Sequence, residues 1–99
     1  MAHRVSRQAE ADLTDIWCHA AKESGSVEIA DRLIESITRR FLLISLYPHL
    51  GRRREDVFGQ GVRTFPVDEY VIVYAVDESD VLVLRVVHGR RDIEALFGL

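Results

Sequence analysis

Apolar residues recur at two different intervals along the chain, and the change of interval divides it. From Gln8 to Glu23, Ala9, Leu13, Ile16, Trp17 and Ala20 fall three and four apart, the stripe of one helix face. Ser6 stands where an N-cap is wanted, and Gly25 where a helix can end in the left-handed conformation. Glu10, Asp12 and Asp15 crowd the first half, where the helix dipole favours them. Ser26 caps a second predicted helix running to about Leu46, with Ala30, Leu33, Ile34, Ile37, Phe41 and Ile44 as its buried face. Glu28, Asp31, Glu35, Arg39 and Arg40 lie mostly off that face. Leu42, Leu43 and Leu46 widen it, so this end is expected to be covered on more than one side, before Pro48 closes the helix. A link this short makes the two helices an antiparallel hairpin.

Beyond Gly61 the interval drops to two. Val62 to Val67, Tyr70 to Val76 and Val81 to His88 read as strands rich in Val, Ile and Tyr. Their short acidic connections, Asp68-Glu69 and Asp77 to Asp80, make an antiparallel meander. "HRVS", His3 to Ser6, fits a short edge strand, and Asp92 is placed to cap a short helix from Ile93 to Phe97. The order is β-α-α-β-β-β with a helical tail: an α+β domain with a helical hairpin on one face of an antiparallel sheet.

The strands are apolar on both faces. In the last one Val81, Val83, Arg85 and Val87 alternate with Leu82, Leu84, Val86 and His88; in the one before, Tyr70, Ile72 and Tyr74 alternate with Val71, Val73 and Ala75. Two apolar faces and one helical hairpin leave a face for a partner, or a half-polar face of tyrosine and arginine in solvent.

Composition narrows the function. A chain of 99 residues is one domain, spanning 1–99, with one modest core. No apolar run reaches the roughly 18 residues of a membrane span, and "MAHRVSRQAE" lacks the apolar core of an export signal, so a cytoplasmic protein with no membrane contact is expected. Cys18 stands alone, which fits a reducing compartment and a small buried hydrophobe. Thirteen basic residues against 16 acidic give a net charge of −3, which argues against autonomous or sequence-specific nucleic-acid binding. His3, His19, His49 and His88 show no metal-ligand spacing, and no cofactor motif is present. "GQG" at Gly59 to Gly61 is a turn rather than a phosphate cradle, and "GRRRED" from Gly51 is a solvated charge run or an anion-binding loop.

"AEADLTDIW", "YPHLGRRRED", "GVRTFPVDEYVIVYAV" and "VLRVVHGRRDIEALF" together resemble the ParE toxins of bacterial toxin–antitoxin systems, within the wider ParE/RelE superfamily. The resemblance runs from Val5 to Phe97. It implies a toxin that binds DNA gyrase and traps its cleaved-DNA complex, neutralised by a ParD-like antitoxin. RelE-like relatives instead cut messenger RNA on the ribosome, using basic strand residues and a tail Tyr or His. Laid on this chain, the strand-three arginine falls at Val71 and the tail tyrosine at Phe97; Arg63 is offered in strand two, followed by Thr64 where lysine is wanted, and Arg91 survives. A valine and a phenylalanine neither stabilise charge nor move protons, so the nuclease set is broken and no catalytic residue is assigned. The candidates for target or antitoxin binding are Arg63, Tyr70, Tyr74, Arg85, His88, Arg90, Arg91, Leu96 and Phe97.

Overall fold

The computed structural model describes residues 2–55, 59–78 and 80–89. Its elements are β1 (Ala2–Val5), α1 (Arg7–Ser24), α2 (Val27–Leu46), β2 (Arg52–Arg53), β3 (Val62–Val67), β4 (Tyr70–Asp77) and β5 (Asp80–His88). The helical hairpin and the β3–β4–β5 meander are where the pattern of apolar residues puts them. The tail helix expected at Ile93 to Phe97 lies outside the described residues.

The helix caps work as their residue types require. Ser6 Oγ accepts from the Ala9 N–H at 3.0 Å and donates to the Leu84 carbonyl at 2.7 Å, so one hydroxyl starts α1 and ties it to β5. Gly25, at φ 69°, closes α1 through its N–H to the Ala21 carbonyl. Ser26 Oγ accepts from the Ile29 N–H to open α2. Trp17 Nε1 donates to Asp31 Oδ1 at 2.8 Å, clipping the two helices together.

The sheet is wider than the meander. Its order is β1-β5-β4-β3-β2, with β1 parallel to β5 and every other pair antiparallel. The two-residue β2, inside the arginine run, is an addition to the expected set. Pro66 faces the same way as Val62, whose carbonyl accepts from Arg54 on the β2 side; the N–H that proline lacks is therefore not needed by β4. Gly59 and Gly61, at φ 99° and 79°, form the turn into β3.

Ile37, Phe41 and Ile44 of α2 and Ile16 of α1 pack on Ile72, Tyr74, Val81, Val83 and Val86, at about 1.5–3 kcal/mol for each large side chain removed from water. The simple alternation expected in β5 does not hold along its length. Val73 pairs with Arg85 and Tyr74 with Val83, so Leu84 is an extra residue, a β-bulge. Past it the pattern slips by one: Val86 joins Val81 and Val83 under the helices, while Leu84 and Val87 join the opposite face. On that face Val62, Val73 and Val87 are buried and Val71, Ala75 and Leu84 half-buried. Among the described residues, the most exposed large apolar side chains lie on α2 and just after it. Leu42 and Leu46, expected to be covered, are 58% and 59% exposed. Cys18 is exposed on α1 rather than buried.

Candidate functional site

Tyr74 and Arg63 face each other across β4 and β3. The Tyr74 ring is fully buried; its Oη accepts from the Gly51 N–H at 2.8 Å and donates to the Pro48 carbonyl at 2.9 Å. Arg63 Nη1 donates to the Gly51 carbonyl at 2.8 Å and the His49 carbonyl at 3.3 Å. Two side chains thus tie down the loop that leaves α2. The fit leaves no slack, since a Cβ on Gly51 would lie 2.5 Å from Tyr74 Oη and 2.8 Å from the Thr64 carbonyl. Burial pushes the Tyr74 phenol above its ordinary value, opposed by the Gly51 N–H and Arg63.

Arg85 is likewise committed. Its Nε and Nη2 donate to the two oxygens of Asp12 at 2.8 and 2.9 Å, and the Val86 N–H donates to Asp12 Oδ2 at 2.9 Å. The reason lies in the sheet: β1 pairs with β5 only as far as Val83, so the Val86 N–H lies beyond its reach. One carboxylate from α1 finishes the edge and holds the bulge. Forked, charge-assisted bonds of this kind are among the stronger ones in proteins.

Tyr70 and His88 meet across the far end of the sheet, ring centroids 5.9 Å apart and edge to face. They line an open cleft of about 530 Å³ between that end and the turn of the helical hairpin, with His19, Glu23, Ile29, Leu33, Asp68 and Glu69 on its walls. His88 Nε2 lies 4.0 Å from Glu69 Oε2, and His19 Nε2 lies 3.6 Å from Glu23 Oε1. Asp68, at φ 54°, turns the β3–β4 hairpin in a conformation that asparagine and aspartate tolerate better than most residues. Three carboxylates and two imidazoles suit a basic side chain of a partner. Among the described residues, no three ligating side chains come close enough to hold a metal.

A second open surface was not among the expected sites. Leu42, Leu46, Tyr47 and Leu50 are between 48% and 61% exposed, in one run at the end of α2. The signal was present in the spacing. Residues 28, 32, 35, 39, 42 and 46 form one helix ridge, and its first four members are charged. Leu42 and Leu46 continue the solvent-facing line, not the line of Ile37, Phe41 and Ile44.

Of the nine expected binding residues, Arg63, Tyr74 and Arg85 hold the scaffold and Tyr70 and His88 line the cleft; Arg90, Arg91, Leu96 and Phe97 lie outside the described residues. What remains is a two-layer α+β domain of the ParE/RelE type, with Arg63, Tyr74 and Arg85 committed to internal bonds and, among the described residues, a charged cleft and an apolar helix end left open.

The family model described as "ParE toxin of type II toxin-antitoxin system, parDE" matches residues 4–93, and the chain belongs to that family. It is 31% identical over 93 residues to Toxin ParE3 of Caulobacter vibrioides, covering 94% of this chain and 91% of that protein. Toxin ParE1 of the same organism is 30% identical over 96 residues, covering 97% of each. The fold is shared with a chain of the chromosomal ParDE TA system from P. aeruginosa, with a TM-score of 0.76, 23% identity, and coverage of 89% of this chain and 95% of that one. Among the described residues, no helix is long and apolar enough to cross a membrane.

Proposed function

We propose that this ParE-family toxin acts in the cytoplasm by binding DNA gyrase and trapping its cleaved-DNA complex, without chemistry of its own, and that a ParD-like antitoxin neutralises it. The observation that carries this reading is the state of Arg63. It is the strand arginine a ribonuclease would aim at phosphate, and here it is bound to two backbone carbonyls. Val71 occupies the other strand position and packs into the outer apolar cluster, where it offers no charge. Catalysis beside a 2′-hydroxyl needs donors aimed at the developing charge, and the described strands supply none that is uncommitted at these positions.

The test is a pair of assays on one preparation. Supercoiling by purified gyrase should fall, with cleaved DNA accumulating, and antitoxin should restore it. Translation-dependent cleavage of messenger RNA should stay at background. Transcripts cut on ribosomes, with gyrase untouched, would reverse the assignment in favour of a RelE-type endoribonuclease.

A further inference from the structure

We infer that Arg85, held by Asp12, is a positioning residue that sets the register of β5 and so keeps His88 at the cleft. This device belongs to the strand and is independent of what the toxin binds.

The hydrophobic pattern of β5 does not choose a register. Both faces of the sheet take aliphatic side chains here, so a slip of one residue exchanges one valine or leucine for another. Between Val81 and Val87, Arg85 is the exception. Ahead of the bulge Val81 pairs with Val76, Leu82 with Ala75 and Val83 with Tyr74. An uninterrupted ladder would continue with Leu84 opposite Val73, Arg85 opposite Ile72 and Val87 opposite Tyr70. Ile72 is fully buried beneath the helices. A guanidinium beside it would leave water for an aliphatic core, which is costly even when the charge is paired. Leaving Leu84 unpaired avoids this. Val86, 2% exposed, takes the place opposite Ile72, and Arg85 stands opposite Val73 with its side chain 32% exposed.

The place of the bulge follows from the same need. β1 flanks β5 only through Val83, so the edge opens at the next residue. There Asp12 receives the Arg85 Nε and Nη2 and the Val86 N–H together, and Ser6 Oγ donates to the Leu84 carbonyl. An arginine and a carboxylate from different elements thus fix a register that the apolar residues leave open.

The consequence is felt at the far end of the strand. In the observed register Tyr70 meets His88 edge to face, and the Gly89 N–H donates to the Glu69 carbonyl at 2.8 Å. Without the bulge Val87 would face Tyr70. His88 would move about 3.3 Å along the strand and turn to the other side of the sheet. The cleft would lose one of its two imidazoles.

The experiment follows cross-strand contacts by NMR in the isotopically labelled, full-length protein. In wild type and in Arg85→Lys, nuclear Overhauser contacts should place Tyr70 opposite His88. In Asp12→Ala combined with Arg85→Leu they should shift by one residue and place Tyr70 opposite Val87. Deleting Leu84 from the otherwise native chain should remove the bulge and leave Tyr70 opposite His88, with Val86 still in the core. A double variant that keeps Tyr70 opposite His88 overturns the inference. So does a Leu84 deletion that re-forms the bulge at Arg85 and puts Tyr70 opposite Gly89, because the irregularity would then belong to the sheet and not to Arg85. If the double variant does not fold, the deletion alone decides between these outcomes.

Discussion

Tyr74 and Tyr70 lie four residues apart on β4, and they mark two regions built on different terms. Around Tyr74 every polar group has an internal partner: the phenol bridges Gly51 and Pro48, Arg63 holds the same loop, and Asp12 holds Arg85 and the Val86 amide. Around Tyr70 the side chains line an open cleft, with the Glu69 side chain 79% exposed, His88 half-buried and the apolar Ile29 and Leu33 beside them. Residue type does not separate the two regions, since each holds a tyrosine and charged residues. Burial does: Tyr74 is fully buried within the scaffold, and Tyr70 lines an open cleft.

The largest effect that can break this contrast is Tyr74→Ala. It should lower the unfolding free energy by about 3–5 kcal/mol, as for a large ring removed from a core, read from urea denaturation. Asp12→Ala comes next. It removes the carboxylate that the Arg85 guanidinium and the Val86 amide share, and loss of these bonds at a partly exposed pair should cost about 2–3 kcal/mol by the same measurement. A smaller loss would put Asp12 with the surface charges.

Tyr74→Phe isolates the hydroxyl. The buried Gly51 amide loses its acceptor, at about 1–2 kcal/mol near neutral pH. The variant also changes the alkaline limb of stability. The folded phenol is raised above its ordinary value of about 10, so as pH climbs past that value the unfolded chain gives up the proton first. The folded state then holds more protons, and wild-type stability is complete below about pH 10 and declines above it. Urea midpoints from pH 7 to 11 should fall less steeply in Tyr74→Phe.

At the open end Glu69→Gln and His19→Ala should each stay within about 0.5 kcal/mol of wild type, as exposed positions do. A cost above 2 kcal/mol at either would mean that the cleft is also part of the scaffold.

Local features were legible in the sequence and non-local ones were not. The caps at Ser6, Gly25 and Ser26, the hairpin of helices and the three-strand meander each depend on neighbours within a few residues. The parallel pairing of β1 with β5 depends on residues 78 apart, and no periodicity reports it. The bulge at Leu84 hides in "VLVLRVVH", where every residue but Arg85 and His88 is apolar and a slip of one leaves no gap. Arg85 read as a binding candidate because its partner, Asp12, lies 73 positions away. The α2 ridge and Cys18, which lies off the α1 stripe, were missed with a local signal present; on α2 it was overridden because three leucines near a helix end suggested a core.

The β1–β5 pairing also governs when the protein can exist. β1 leaves the ribosome before the other described elements, and the strand it pairs with, Asp80–His88, emerges after them. At about 5–20 residues per second, β1 waits several seconds or more before its partner is available. Until then Ser6 has no Leu84 carbonyl to bond and Asp12 no Arg85. Chains terminated before Asp80 carry both helices and no completed sheet, so a prematurely ended message yields a fragment without the toxin's fold. The sheet is completed only once Asp80–His88 has emerged.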